Sequence, residues 1–236
     1  MPFRRRLKTV ERGRPARKVS GRDALTGELQ RTLTGPSVRI TSLAMSADGG
    51  RIVVGDTNGM VTIWEADRPG RAFQGHAGSI QGLALSADGR HIVSASGAAG
   101  TVKVWDALTG QWQRTLEGQV RGIVGVAISA AGRHIVGGGL DRTVKVWEAA
   151  PGKETFTLKG HVDAITRVAI SADSQRIVSG SVDATVRVWD MATGQQQLTL
   201  KGHAFLVMCV ATSGDDRRIA AGGRDGIVKI WEATEP

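Results

Sequence analysis

A tryptophan recurs along this chain at nearly constant spacing. Trp64, Trp105, Trp147, Trp189 and Trp231 are separated by 41, 42, 42 and 42 residues, and each closes a segment such as TVKVW or TVRVW. Internal periods of this length are typical of solenoids and propellers, in which one unit cannot bury its apolar face alone. The sequence therefore predicts an array of five copies of one unit, with its function on the assembled surface.

Each copy has the pattern of four short strands. Before Trp189, alternating apolar positions over residues 165–170, 177–179 and 186–189 predict three strands, separated by the turn segments SADS and SVDA. A turn that contains Gly, ATGQQQ, leads to a fourth strand, QLTLKG. The same order recurs in the other copies without helical periodicity. The predicted fold class is therefore all-β, with five four-stranded antiparallel blades within residues 23–236.

A Gly-His pair stands about 28 residues before each well-preserved Trp-Asp or Trp-Glu pair, with an Asp in the turn between them. These motifs resemble the WD40 repeat family over residues 23–236, and the resemblance implies a β-propeller. It also implies that one copy carries a structural hydrogen-bond network, not a catalytic triad. The residues of that network are His161, Ser179, Asp183 and Trp189.

The other copies carry only parts of this network. The network residues that the resemblance assigns there are His76, Trp105, Asp141, Trp147, His203, Asp225 and Trp231. Pro36 and Gln119 stand where a His is expected, and Ala221 stands where a Ser is expected. We therefore expect the complete network in the copy with His161 alone.

The two ends of the array predict a shared blade. Residues 29–33 match a fourth strand, whereas the last copy stops after a third strand, so we expect the N-terminal strand to complete the last blade. DALTGELQRTL at 23–33 repeats DALTGQWQRTL at 106–116 in nine of eleven positions, but no Trp precedes Asp23. A closed five-blade ring, an oligomer and part of a longer propeller are all compatible with this strand phase.

Positive charge is concentrated in the first 22 residues. They hold nine Lys and Arg and one Glu, a net of +8 within a chain total of +9. We expect residues 1–22 to form a disordered basic tail. This tail is the only part of the sequence that is predicted to bind nucleic acid. Its one aromatic residue is Phe3, and a lack of stacking side chains favours a solvated arm instead.

The apolar segments indicate a compartment. None approaches the roughly 18 residues that span a bilayer, and the N-terminus lacks the apolar segment of a secretory signal. We therefore expect a cytoplasmic protein without membrane contact. The lone cysteine, Cys209, lies in the apolar string LVMCVA, which predicts a small buried core residue.

No pattern of an enzyme is found in the sequence. There is no Gly-rich phosphate loop between a strand and a helix, no Cys/His cluster with metal spacing, and no acidic residue on the predicted inner strands. The sequence thus predicts a protein without catalytic residues, metal or cofactor.

By resemblance to the interaction face of the family, we expect a partner to bind at one end of the central channel. The positions beside each inner strand and before each turn Asp are predicted to surround that end. The candidate residues are Arg39, Val124, Leu140, Val182, Leu206, Met208 and Arg224, with Phe205 and Arg121 beside them. Exposed apolar patches usually mark binding sites, so this one predicts an interaction scaffold that docks a protein or peptide. Two alternatives stay open. Leu206 and Met208 could plug a narrow channel, or the array could be a regulatory sensor from a larger signalling enzyme such as a kinase or ATPase.

Overall fold

The computed structural model describes residues 9–12, 18–22, 26, 28–34, 38–65, 68–98, 100–117 and 122–232. Within these ranges every regular element is a β-strand, and the strands form six antiparallel sheets. The predicted all-β class is therefore confirmed. In the part of the chain so described, no helix has the length and apolar character needed to cross a bilayer.

Four sheets have four strands each, and in each of them consecutive strands are neighbours. The second sheet contains β4 (Ile40–Met45), β5 (Arg51–Asp56), β6 (Met60–Glu65) and β7 (Arg68–Gln74). The third contains β8 (Ile80–Leu85), β9 (His91–Ser96), β10 (Thr101–Asp106) and β11 (Trp112–Glu117). The fourth contains β12 (Ile123–Ile128), β13 (His134–Gly139), β14 (Val144–Glu148) and β15 (Glu154–Leu158). The fifth contains β16 (Ile165–Ile170), β17 (Arg176–Ser181), β18 (Val186–Asp190) and β19 (Gln196–Leu200), which confirms the predicted four-strand unit.

The first and sixth sheets have three strands each. The first contains β1 (Thr9–Arg12), β2 (Lys18–Arg22) and β3 (Leu29–Thr34), and the sixth contains β20 (Val207–Thr212), β21 (Arg218–Gly223) and β22 (Val228–Glu232). β3 pairs with β2, and β22 pairs with β21. The prediction that residues 29–33 complete the last blade is therefore wrong. Pairing with β2 closes only a short connection, which costs less chain entropy than pairing across the whole array.

Part of the predicted basic tail belongs to the first sheet. β1 and β2 lie within residues 1–22 and pair with each other, so the prediction of disorder is wrong for these two strands. Residues 1–8 and 13–17 lie outside the described residues. Backbone pairing therefore places residues 9–12 and 18–22 in a sheet, which the sequence did not predict.

The first sheet went unrecognised because it lacks the tryptophan that marks the other copies. Arg22 pairs with Leu29 beside a register shift, as Trp105 pairs with Trp112 beside a register shift. Arg22 thus occupies the register position that Trp105 holds in the third sheet. A search for the Trp period finds five copies, whereas pairing reveals a sixth sheet.

Apolar cores lie between consecutive sheets and not within single ones. Trp189 of the fifth sheet is 2% exposed and packs with Val144 and Val146 of the fourth. Trp64 of the second sheet packs in the same way with Val19 and Leu33 of the first. Fully burying such a side chain contributes about 2 kcal/mol. The inner strands β4, β8, β12, β16 and β20 contact one another in that order, so each blade supports the next, as the repeat pattern predicts.

The sixth sheet presents an exposed apolar face. Val228 and Ile230 of β22 are 69% and 64% exposed, whereas Val186 and Val188, at the same positions of β18, are 0% and 1% exposed. The pair on β18 is covered by the sixth sheet. Among the described residues no further sheet covers the pair on β22.

The same cause exposes Cys209, so the prediction of a buried cysteine is wrong. Gly125 holds the same register position in β12. A Cβ atom at Gly125 would lie 3.0 Å from the Arg167 backbone of the next inner strand. The apolar string around Cys209 has the composition of a core strand, but its burial depends on a neighbouring sheet.

Candidate functional site

The fifth sheet contains a continuous buried chain of hydrogen bonds. The Nδ1 of His161 lies 2.7 Å from Oδ2 of Asp183, and its Nε2 lies 2.8 Å from Oγ of Ser179. Trp189 donates from Nε1 to the same Oγ over 2.9 Å. In the tautomer that satisfies every group, His161 donates to Asp183 and Ser179 donates to His161.

This arrangement has the connectivity of a Ser-His-Asp triad but not its access. Ser179 is 0% exposed, and its oxygen already accepts the indole proton of Trp189. A nucleophilic serine needs an open path to a substrate carbonyl and a free lone pair. The geometry therefore serves to satisfy buried polar groups and to join the elements that carry them.

Asp183 anchors the turn before β18. Its carboxylate accepts hydrogen bonds from the backbone N–H of Val162 and from both the N–H and the hydroxyl of Thr185. Burial alone raises the pKa of Asp183, but hydrogen bonds from Thr185 and His161 outweigh it, so the net pKa is lowered. The charged carboxylate thereby holds the 161–164 loop against the turn.

The network is incomplete in the other sheets. In the third sheet, Nε2 of His76 lies 2.8 Å from Oγ of Ser94. Trp105 donates from Nε1 to the same Oγ, also at a distance of 2.8 Å. Ala99, which stands where an Asp is expected, lies outside the described residues. In the sixth sheet His203 lies 2.9 Å from Asp225, but Ala221 stands at the serine position.

Three further predicted members make other contacts. Asp141 accepts hydrogen bonds from the N–H and hydroxyl of Thr143, while Gln119 at the expected His position lies outside the described residues. Trp147 packs in the core between the third and fourth sheets. Trp231 packs in the core between the fifth and sixth. The serine register position is held by Ser94 and Ser179, and elsewhere by Val54, Gly137 and Ala221.

Burial of His76 makes stability depend on pH. Desolvation, and next the nearby Lys103 cation, lower its pKa from 6.5 to about 4. The unfolded chain therefore takes up this proton first, and the stabilising contribution is present above pH 6.5 and lost as the pH falls toward 4. We expect His76 to account for a loss of about 2 kcal/mol in the free energy of unfolding between pH 7.5 and pH 5.

Urea unfolding followed by tryptophan fluorescence at several pH values measures this loss. His76→Gln keeps a polar side chain near Ser94 and removes the titrating group. The free energy of unfolding of this variant is therefore expected to fall less between pH 7.5 and pH 5 than that of the wild type. An equal fall would show that His76 does not titrate as its burial implies.

A groove of about 700 Å³ lies between the fifth and sixth sheets, on the side of the loops that precede β16 and β20. We call it the mouth groove. Its lining residues are Val182, Asp183, Ala184, Ala204, Phe205, Leu206 and Arg224. The structure thus brings together three of the predicted partner-binding residues, Val182, Leu206 and Arg224, with Phe205 beside them.

The other predicted partner-binding residues do not line this groove. Leu140 is 50% exposed and holds the position of Val182 in the preceding sheet. Met208 is 55% exposed, which is not the burial of a channel plug. Val124 and Arg39 lie on earlier blades, and Arg121 lies outside the described residues.

Backbone hydrogen bonds hold the walls of the mouth groove. The N–H of Val182 donates to the Ala164 carbonyl, and the N–H of Arg224 donates to the Leu206 carbonyl. The N···O distance is 2.9 Å in both. Ala184 has a φ of 65°, a left-handed conformation that is unfavourable for alanine. The hydrogen bonds that Thr185 donates to the Asp183 carboxylate span this residue and hold the turn in place. Sequence reasoning missed Ala184 and Ala204 because a small apolar side chain has no chemical signature.

The sequence pattern described as "WD domain, G-beta repeat" matches the chain five times, over residues 27–65, 67–106, 110–148, 152–190 and 194–232. The chain belongs to the WD40 family. Each WD40 match ends on the residue after one of the five periodic tryptophans. The resemblance inferred from the sequence is thereby confirmed. The first sheet, which contains Arg22, lies largely before the first match.

This WD40 chain is also similar to "Anaphase-promoting complex subunit cdc20" of Dictyostelium discoideum, with 26% identity over 93 residues. The matched region covers 36% of this chain and 19% of that protein, so the match spans about a fifth of the relative. The repeats and this similarity together support an interaction module. Within the described ranges, no group of three or more His, Cys, Asp or Glu is arranged to hold a metal ion.

Proposed function

We propose that this WD40 protein is a noncatalytic scaffold that docks a segment of a partner protein in the mouth groove. The observation that carries the proposal is the convergence of exposed apolar side chains on one concave site. Phe205 is 62% exposed and Val182 is 36% exposed, and both line the groove. Apolar surface of this kind, in a concave site with a few polar groups, is typical of ligand and partner sites.

The groove is suited to binding because its walls are already ordered. The buried network of His161 and Asp183 fixes one wall, and the His203–Asp225 pair stands behind the other. A preformed site loses little conformational freedom when a ligand enters, which favours affinity from a small contact area. The structural network thus supports binding by holding the groove walls in place.

Selection from a random peptide library displayed on phage tests the proposal. We expect the wild type to enrich a peptide family, and Val182→Asp and Leu206→Asp to weaken its binding by about tenfold or more. Fluorescence anisotropy of the labelled peptide gives the dissociation constants, and circular dichroism checks that each variant is folded.

Leu140→Asp is the matched control, since Leu140 is exposed at the equivalent position of the preceding sheet. It should bind the peptide as the wild type does. Folded Val182→Asp and Leu206→Asp variants that retain full affinity would place the partner elsewhere.

A further inference from the structure

Arg224 gives the mouth groove a positive charge that the equivalent positions of the second, fourth and fifth sheets lack. In several sheets, the residue before the turn donates its backbone N–H to a carbonyl of the loop before the inner strand. The donor and acceptor residues are Thr57 and Arg39, Leu140 and Gly122, and Val182 and Ala164. Arg224 makes the same bond to Leu206. At this shared position the other three residues are uncharged, so the cation belongs to this groove alone among them.

The guanidinium of Arg224 has no partner among the described residues. Its backbone is fixed by the bond to Leu206, while the side chain is exposed. Two nearby carboxylates are already engaged: Asp183 lines the same groove, and Asp225 is the next residue in the chain. Asp183 and Asp225 have side chains only 4% and 6% exposed, and they accept from His161 and His203. Arg224 therefore stands free beside an apolar groove.

A single free arginine selects among anions. A guanidinium binds a carboxylate through two parallel hydrogen bonds, and this pairing is stronger beside apolar surface than in open water. Recognition of phosphorylated side chains uses clusters of arginines instead. One arginine at the rim thus favours a carboxylate.

We propose that the mouth groove binds a peptide segment in which an apolar side chain stands next to Asp or Glu. The apolar side chain rests on Phe205, Leu206 and Val182, and the carboxylate pairs with Arg224. This inference rests on the proposed docking function and adds the chemistry of the ligand. The partner is therefore an acidic and apolar segment of another protein.

The phage selection is repeated with the wild type, Arg224→Gln and Arg224→Glu. We expect the wild type to enrich peptides with Asp or Glu beside a large apolar residue. The selected peptide should bind Arg224→Gln about tenfold more weakly, with a smaller dependence of affinity on salt. Arg224→Glu should enrich peptides in which Lys or Arg replaces the acid. Arg142 is an exposed arginine in the turn between β13 and β14, so Arg142→Gln is the matched control and should change none of these results.

The outcomes separate the two proposals. Enriched peptides without an acidic residue, whose binding still depends on Val182 and Leu206, would overturn the carboxylate assignment and retain the docking function. Failure to enrich any peptide that depends on the groove would overturn both. Preference for a phosphoserine peptide over its Glu counterpart would also overturn the carboxylate assignment.

Discussion

Val186→Asp is expected to lower the free energy of unfolding by more than about 4 kcal/mol, because it places an unpaired carboxylate in a dry core. Val186 is 0% exposed and lies in the core between the fifth and sixth sheets, with Val207 and Ala221. Val228→Asp, at the same position of the next repeat, is expected to change it by no more than about 0.5 kcal/mol. Val228 is 69% exposed, so its replacement leaves the carboxylate in water.

Urea unfolding monitored by circular dichroism measures both variants. The comparison is matched, since each position starts the third strand of its sheet and pairs with a glycine, Gly180 or Gly222. Equal losses for the two variants would mean that Val228 is covered in solution by another sheet or another molecule. A tolerated Val186→Asp would contradict the core between these sheets.

Ser179→Ala is expected to cost about 3 kcal/mol, since it leaves two buried groups without partners. His161 loses the hydroxyl that donates to its Nε2, and Trp189 loses its acceptor. Both rings lie in the interior, and Ser179 itself is fully buried.

The sixth sheet offers the reciprocal experiment. Ala221 holds the position of Ser179, and Nε2 of His203 is buried without a partner. The ring centroids of His203 and Trp231 are 6.2 Å apart, the same separation as in His161 and Trp189. A hydroxyl placed between them by Ala221→Ser would meet both rings, so this variant is expected to gain about 1 kcal/mol.

Thermal and urea unfolding of the two single variants and of the double variant provide the test. The gain from Ala221→Ser should vanish in a His203→Ala background, in which the hydroxyl has lost its partner. A loss from Ala221→Ser, or no loss from Ser179→Ala, would contradict the role assigned to the serine hydroxyl.

Local pattern was sufficient for much of the fold. The alternation around Ile165–Ile170 and the Gly turn after Trp189 predicted four strands, and the structure has them at these places. Strand formation follows from side-chain alternation over a few residues. The spacing of His161, Ser179 and Asp183 indicated a structural role, and their buried geometry agrees with that role.

Local pattern failed where a feature depends on a neighbour. Arg22 replaces the tryptophan that marks a copy, and the pairing of β2 with β3 alone identifies its sheet. Cys209 lies in an apolar strand but is exposed. The mouth groove joins Val182 and Arg224, which are 42 residues apart, and four of the seven predicted partner-binding residues do not line it.

The sequence by itself determined the repeat unit, its strands and its family, because these depend on periodicity within about 40 residues. The tertiary structure alone decided which repeated positions are buried and which are free to bind. Val186 and Val228 stand in segments of the same pattern, TVRVW and IVKIW, yet one lies in a core and the other faces solvent. In a repeat array the second half of each core comes from the next unit, and no sequence pattern within a unit records whether that neighbour is present.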